Sequence, residues 1–271
     1  MTEGIYARKP IHFHGTIPIF SEPTEYTENY EKISQDHLAS FHKDGTNPFI
    51  PEDLWVECEN STRRLIQKYS EPGNRVLDVG VGLGRLLSPL PQLKRYGMDI
   101  SFGYLEIAES KGIEVCYGLI EDMPYLPEYF DVVVCTDVLE HVLDLNLCCA
   151  KILSVLRKGG VLIARVPYQE DLTAYTSPIY PYKYAHIRSF DEESLRGLFE
   201  RFSDCKFVEW VRTGYGARPN KLRYPFRFPK RDTILLRLFD AMEKYDIPLR
   251  RFLLKKLFFP VDINVVVKCE R

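Results

Sequence analysis

The sequence predicts an α/β fold built on a doubly wound, mostly parallel sheet of seven strands, the last of them antiparallel. Three observations carry this. From Arg75 to about Phe207 short β-rich runs alternate with helical patterns, the signature of a parallel sheet covered on both faces. The runs are continuously apolar rather than alternating, as strands buried on both sides must be. And the first run leads into RVLDVGVGLGR at 75–85, a strand that ends in closely spaced glycines.

The strands are predicted at 75–79, 95–98, 113–117, 130–135, 160–166, 205–211 and 262–270. Helices are predicted at 84–90, 102–111, 145–157 and 191–202, the third ended by the Gly159-Gly160 pair and the fourth capped by Ser189 or Asp191. Ahead of the core, 25–43 and 51–69 have helical patterns separated by the breaker-rich DGTNPFIP at 44–51. Four segments result: a helical N-terminal extension or lid over 1–70, a core over 71–212, a basic and aromatic insert over 213–260, and a final core strand over 261–271.

A chain of 271 residues with 45% hydrophobic side chains is long enough to bury a full core. No apolar run reaches the roughly 18 residues a membrane span needs, and MTEGIYARKPIHFHG has no signal-peptide core, so a cytoplasmic location is the expectation. The seven cysteines form no C-x-x-C pair, which predicts reduced thiols, no disulfide and no cysteine-bound zinc. The net charge of −2 hides two blocks. Residues 1–60 hold 11 acidic against 4 basic side chains, and 213–260 hold 12 basic against 4 acidic. An acidic block of this kind reads first as a solvated face.

A glycine turn that opens a helix after a strand commonly holds a phosphate. A dinucleotide site wants G-x-G-x-x-G, whereas here Gly80, Gly82 and Gly84 recur at every second position, so the third glycine comes one residue early. With Asp78 ahead of it, this turn resembles the first motif of class I S-adenosylmethionine-dependent methyltransferases, which have a Rossmann-like fold. The resemblance continues through Asp99 in YGMDIS, FDVVVCTDVLEHV at 130–142, LRKGGVLIARVP at 156–167 and AHIRSFDEESLRGLFERF at 185–202.

It implies S-adenosylmethionine as cofactor and S-adenosylhomocysteine as product. Asp78 would face the methionine ammonium, Gly80, Gly82 and Gly84 would let the backbone approach closely, and Asp99, beside Ile100, would accept the ribose hydroxyls. Thr136 ends the fourth strand on the same rim. Family members carry an Asp after the third strand for the adenine amino group. Here Leu119 stands at that position, which leaves Glu121, Asp122 or backbone groups for the contact.

Methyl transfer is an in-line displacement at an already activated carbon, so positioning supplies much of the rate and a side chain is needed mainly to take a proton. Candidates for that role are His141, His186 and Asp137. Asp137, Glu140 and His141, with His186, also resemble the E-V-x-E-H that ligates a divalent cation in two branches of the family, although L-E-H-V is common in members without metal. The sequence reading therefore assigns no metal and keeps these four residues as the alternative ligand set.

Tyr180, Tyr182, Tyr184 and Arg188, in an aromatic run that also holds Tyr175, are the candidate substrate contacts, and Tyr26 and Tyr30 the candidates for closing over the cofactor. Tyrosines suit a sugar, whose apolar faces stack while its hydroxyls bond phenols. In the insert, Arg218, Lys221, Arg223, Arg227, Lys230 and Arg231 alternate with aromatic residues, which suits a phosphate-bearing substrate. The basic amphipathic RRFLLKKLFF at 250–259 suits transient contact with a membrane surface. The preferred reading is thus methylation of a hydroxyl or amine on a small saccharide or phosphorylated metabolite. Ranked below it are a membrane-linked glycan, RNA 2′-O-methylation, and a cofactor-binding protein without catalysis.

Overall fold

A computed structural model describes residues 4–45, 47–201, 205–216 and 259–270. Two short strands, β1 (His12–His14) and β2 (Ile17–Ile19), precede helices α1 (Glu25–Asp44) and α2 (Glu52–Tyr69). The core then runs through β3 (Arg75–Val79), β4 (Lys94–Asp99), α3 (Phe102–Ser110), β5 (Glu114–Tyr117), β6 (Phe130–Thr136), α4 (Leu145–Ser154) and β7 (Leu156–Pro167). It finishes with α5 (Glu192–Glu200), β8 (Cys205–Gly216) and β9 (Phe259–Cys269).

All strands join one sheet in the order β1-β2-β5-β4-β3-β6-β7-β9-β8. Strands β5, β4, β3, β6 and β7 are mutually parallel, and β9 enters antiparallel between β7 and β8. The chain leaves β3 towards β4 and β5 and then returns to its other side as β6. That reversal opens a crevice beyond the carboxyl ends of β3 and β6, where open α/β sheets bind ligands.

The continuous apolar character of the strands has a direct cause here. Leu77, Val133, Leu162 and Val265 pack into one layer, and Val76, Val132, Ile163 and Val266 into the layer on the opposite face, all fully or nearly fully buried. Capping fixes where helices begin. Thr24 and Thr27 form a reciprocal capping box at α1, and Asp191 does the same with Ser194 at α5, which selects Asp191 over Ser189.

Several expectations need correction. Among the described residues the sheet has nine strands rather than seven, because HFHGTIPI folds as a hairpin about Gly15 and its second strand runs parallel to β5. Residues 84–90 form successive turns and not a helix, since Gly80, Gly82 and Gly84 all take left-handed backbone angles just ahead of them. Helix α4 ends at Ser154, and the Gly159-Gly160 pair sits inside β7. There, between Leu156 and Val161, the ladder to β6 shifts register, and a β-carbon at Gly160 would meet the Arg157 carbonyl oxygen at 2.8 Å. The cysteines are not all reduced: Cys205 and Cys269, paired across β8 and β9, are joined by a disulfide. Most of the basic insert, including Arg218 to Arg231 and the amphipathic 250–258, lies outside the described residues. Among the described residues no helix is long and apolar enough to cross a membrane.

Candidate active site

The glycine turn follows β3 directly. Gly80, Gly82 and Gly84 have φ of 79°, 49° and 67°, a region glycine enters without the cost a β-carbon brings. The three glycines answer to different constraints. A β-carbon at Gly80 would lie 2.3 Å from Cγ2 of Val138, and one at Gly84 would lie 2.8 Å from Cδ1 of Ile113 and 3.1 Å from Ala108. At Gly82 nothing lies within 4 Å, because its bare side faces an open cavity.

The turn is tied to the end of β4 by Asp99. Its Oδ2 accepts a hydrogen bond from the Gly82 N–H at 2.9 Å, and its Oδ1 accepts from the N–H groups of Ile100 and Ser101. Burial nevertheless pushes the Asp99 carboxyl up to about 6. Asp78 is 1% exposed, and its Oδ1 has no partner. Burial first, and then the Asp99 charge, raise its carboxyl well above the ordinary range. A buried acid left this way is costly unless a ligand supplies a donor.

The cavity measures about 560 Å³ and extends from the glycine turn past the ends of β6 and β7. Helices α1 and α2 close it. Arg85, next to the glycine turn, lies over the ring of Trp55 on α2 at 3.8 Å and pairs with Glu59 at 2.9 Å and Glu52 at 2.8 Å, fastening that helix to the turn. On α1, Asn29 exchanges hydrogen bonds with the backbone of Tyr184, and Asp36 accepts one from the Tyr182 hydroxyl. Tyr26 and Tyr30, from the same helix, form part of the wall.

At the far end stand the residues of DVLEH. Asp137 follows β6 with φ of 56°, and two contacts hold it there: its N–H donates to the Arg165 carbonyl, and its carboxylate binds the Arg165 guanidinium. Arg165 is buried on β7 and also faces Asp262 at 3.4 Å, so its charge is shared between two acids. Glu140 is fully buried, yet neither carboxylate oxygen has a partner. Burial, and next Asp137, raise its carboxyl well above the ordinary range.

His141 and His186 meet edge to face with ring centres 4.4 Å apart. Burial, and then the neighbouring His186, push His141 down to about 3, so its 3.9 Å approach to Glu140 is not an ion pair at neutral pH. His186 is different. Its Nδ1 lies 2.5 Å from Oε2 of Glu170, and Oε1 of Glu170 accepts from the Tyr175 hydroxyl at 2.8 Å. A carboxylate on Nδ1 selects the tautomer that leaves Nε2 free to accept a proton. Donor atoms of Glu140, His141 and His186 all lie within 4.8 Å of one another. Asp137 is absent from that group, its carboxylate being taken by Arg165.

Of the residues singled out from the sequence, Asp78, Gly80, Gly82, Asp99, Ile100, Glu121, Thr136, Asp137, Glu140, His141, His186, Tyr180 and Tyr182 line this one cavity. Four do not. Gly84 packs on α3 and the start of β5, and the Asp122 carboxylate accepts from the Ser21 hydroxyl. Tyr184 sits against Glu25 and Tyr26 at the outside of α1. Arg188 donates to the carbonyl oxygens of Val142 and Leu143, clamping the loop behind the site.

The sequence reading missed Glu170, Arg165 and Asp262, all of which line the cavity. A signal existed for each: Glu170 is an acid just past the carboxyl end of β7, and Arg165 and Asp262 are charges inside otherwise apolar strands.

The parallel order β5-β4-β3-β6-β7 with β9 inserted antiparallel is a Rossmann-like fold, with a glycine turn set between the acids Asp78 and Asp99, and it is the fold of solved S-adenosylmethionine-dependent methyltransferases. Residues 77–164 match the family model described as a methyltransferase domain. The chain is 36% identical over 98 residues to a ubiquinone biosynthesis O-methyltransferase of Mesorhizobium japonicum, covering 33% of this chain and 39% of that protein. It is 32% identical over 132 residues to a magnesium-protoporphyrin O-methyltransferase of Synechocystis, covering 44% and 57%. The chain thus spans less than two thirds of either relative. Among solved structures, the Haloferax volcanii putative methyltransferase, in complex with the Trm112 methyltransferase activator, superposes with a TM-score of 0.61 at 15% identity, covering 91% of this chain and 98% of that one.

Proposed function

We propose that this protein is an S-adenosylmethionine-dependent methyltransferase that acts on a hydroxyl or amine of a small molecule. The observation that carries the reading is the open side of Gly82, which faces a cavity flanked by Asp78 with an unpartnered oxygen and by Asp99 at the end of β4. Bound there, S-adenosylmethionine would supply a methyl group on a positively charged sulfur.

Asp78 would accept from an ammonium and Asp99 from ribose hydroxyls, each then gaining the donor that offsets its burial. Ile100, Glu121 and Thr136 complete the wall of that half. Of the groups at the other end, His186 is our choice for the proton acceptor, because Glu170 fixes its tautomer and orientation. His141, neutral at pH 7, serves as a hydrogen-bonding wall, and Asp137 holds the loop through Arg165. Tyr180 and Tyr182 are the substrate-facing phenols of our earlier candidates. The described wall has no unpaired cation for a phosphate, so a saccharide hydroxyl or an amine is favoured over a phosphorylated group.

Isothermal titration with S-adenosylmethionine and S-adenosylhomocysteine tests the reading. Micromolar binding of both, with none of NAD, is the expected outcome, and absence of cofactor binding would sink it. A second reading rests on the proximity of Glu140, His141 and His186, which suits a divalent cation. It requires methyl transfer to be lost on chelation and restored by added magnesium or manganese.

A further inference from the structure

We propose that the substrate half of the cavity takes a cationic amine, held by Glu140 and Glu170 within a wall of tyrosine rings, so that nitrogen is the methyl acceptor. The inference rests on the methyltransferase reading above and specifies its substrate.

Charge is the first argument. Among the described residues lining the cavity there are eight carboxylates and two arginines. Both arginines are already engaged, Arg85 by Glu59 and Glu52, and Arg165 by Asp137 and Asp262. Asp78 and Asp99 belong to the glycine turn. What remains is Glu121 beside the cofactor half and, on the far side, Glu140 and Glu170, which no described arginine or lysine of the wall faces. An anionic substrate would enter against this field and find no described partner there.

Glu140 supplies the second and independent argument. It is fully buried, it lines the cavity, and neither of its oxygens has a partner. A carboxyl is kept in that condition at a cost in stability, and an ammonium brings both the opposite charge and the N–H donors it lacks. A neutral sugar hydroxyl brings a donor without the charge.

The walls fit the same ligand. The Tyr30 ring lies 5.3 Å from His141, Tyr175 lies 4.6 Å from His186, and Tyr180 lies 5.2 Å from Tyr175, each measured between ring centres. Aromatic faces around two carboxylates attract cations and stack poorly hydrated alkylammonium groups. In the reaction, the substrate ammonium gives one proton to Nε2 of His186. The nitrogen lone pair so freed forms the new N–C bond as the bond from methyl carbon to sulfur breaks, its electron pair staying on sulfur.

The test uses the full-length protein, treated with chelator and saturated with S-adenosylhomocysteine. Calorimetric titrations compare protonated N,N-dimethylethanolamine with its uncharged isostere 3-methylbutan-1-ol, and glucose with glucose 6-phosphate. The expected result is that the amine binds at least tenfold more tightly than the other three, and that Glu140→Gln removes at least tenfold of its affinity. Glu170→Gln, at a less buried position, provides a second variant and is expected to weaken the amine in the same direction. If S-adenosylhomocysteine itself fails to bind, the methyltransferase reading falls. If it binds but the amine shows no preference over the isostere or the sugars, or no probe binds, the amine assignment alone is overturned.

Discussion

Nδ1 of His186 lies 2.5 Å from Oε2 of Glu170, and this carboxylate reaches the histidine from a loop that follows β7 directly. The pair has the geometry of a base and its orienting group, with Tyr175 holding the carboxylate from the other side at 2.8 Å. Replacing His186 with alanine is expected to lower kcat by about 10²–10⁴. Glu170→Gln should lower kcat by roughly ten- to a hundredfold, because an orienting group acts on the reacting state, and should also raise KM, because the same carboxylate helps to hold the substrate ammonium. Glu170→Asp should recover part of the loss. The check is steady-state kinetics on the acceptor found by a methyl-transfer screen, and a Glu170→Gln enzyme with normal kcat would remove the assignment.

Asp99 gives a pH dependence whose sign follows from its burial. Its carboxyl titrates near 6 in the folded protein, above the ordinary aspartate value of 3.8. Between those values the folded state binds more protons than the unfolded one, so this group makes the free protein less stable as pH rises from about 4 to 6. Cofactor binding should run the other way. The ionised carboxylate is the acceptor, so affinity for S-adenosylhomocysteine should fall below about pH 6, approaching tenfold per pH unit. Titrations from pH 5 to 8 would show this, and Asp99→Asn should both flatten the profile and weaken binding.

The three glycines separate binding from folding. Gly82→Ala places a methyl group on the cavity side at φ of 49°, where the backbone strain costs about 1–2 kcal/mol. Its main effect should be loss of cofactor affinity. Gly84→Ala carries similar strain but also drives a carbon into Ile113 and Ala108, away from the cavity. Thermal unfolding of both variants beside cofactor titration should therefore rank them oppositely: Gly84→Ala lower in Tm, Gly82→Ala weaker in binding. The same rank in both measurements would contradict the division of roles.

Glu140 should show the opposite trade. Its raised carboxyl means that ionisation opposes folding, and that this penalty grows as pH rises through its folded value. Glu140→Gln should accordingly raise Tm by several degrees at pH 8 and by less at pH 5. A lower Tm at pH 8 would show that Glu140 has a stabilising partner in solution.

How far the sequence could be read depended on the range of the interaction involved. Strands β3 to β7 were legible because each is a continuous apolar run closed by turn residues, and Asp78, Gly82 and Asp99 because local spacing carries their roles. The hairpin β1–β2 was missed since three-residue strands leave no periodicity, and its place beside β5 is a tertiary choice. The leucines of GRLLSPLPQL resemble one helical face, yet the left-handed glycines before them allow only turns. Glu170 and Asp262 are single acids that become part of a site only when β7 and β9 lie side by side.

The Cys205–Cys269 disulfide is the clearest case of such long-range information, and it makes a prediction of its own. The two cysteines are 64 residues apart and become neighbours only through the register that sets the first residue of β8 opposite the last of β9. Closing a loop of this length restricts the unfolded chain by about 4 kcal/mol on the chain-entropy model. A reducing agent should therefore lower Tm by several degrees, and Cys205→Ser should do the same without reductant. The two effects should not add, because both remove one bond. Thiol titration of the unfolded, unreduced protein should count the five remaining cysteines, Cys58, Cys116, Cys135, Cys148 and Cys149. Seven thiols, or a Tm indifferent to reductant, would show that the paired cysteines face each other across the strands without bonding.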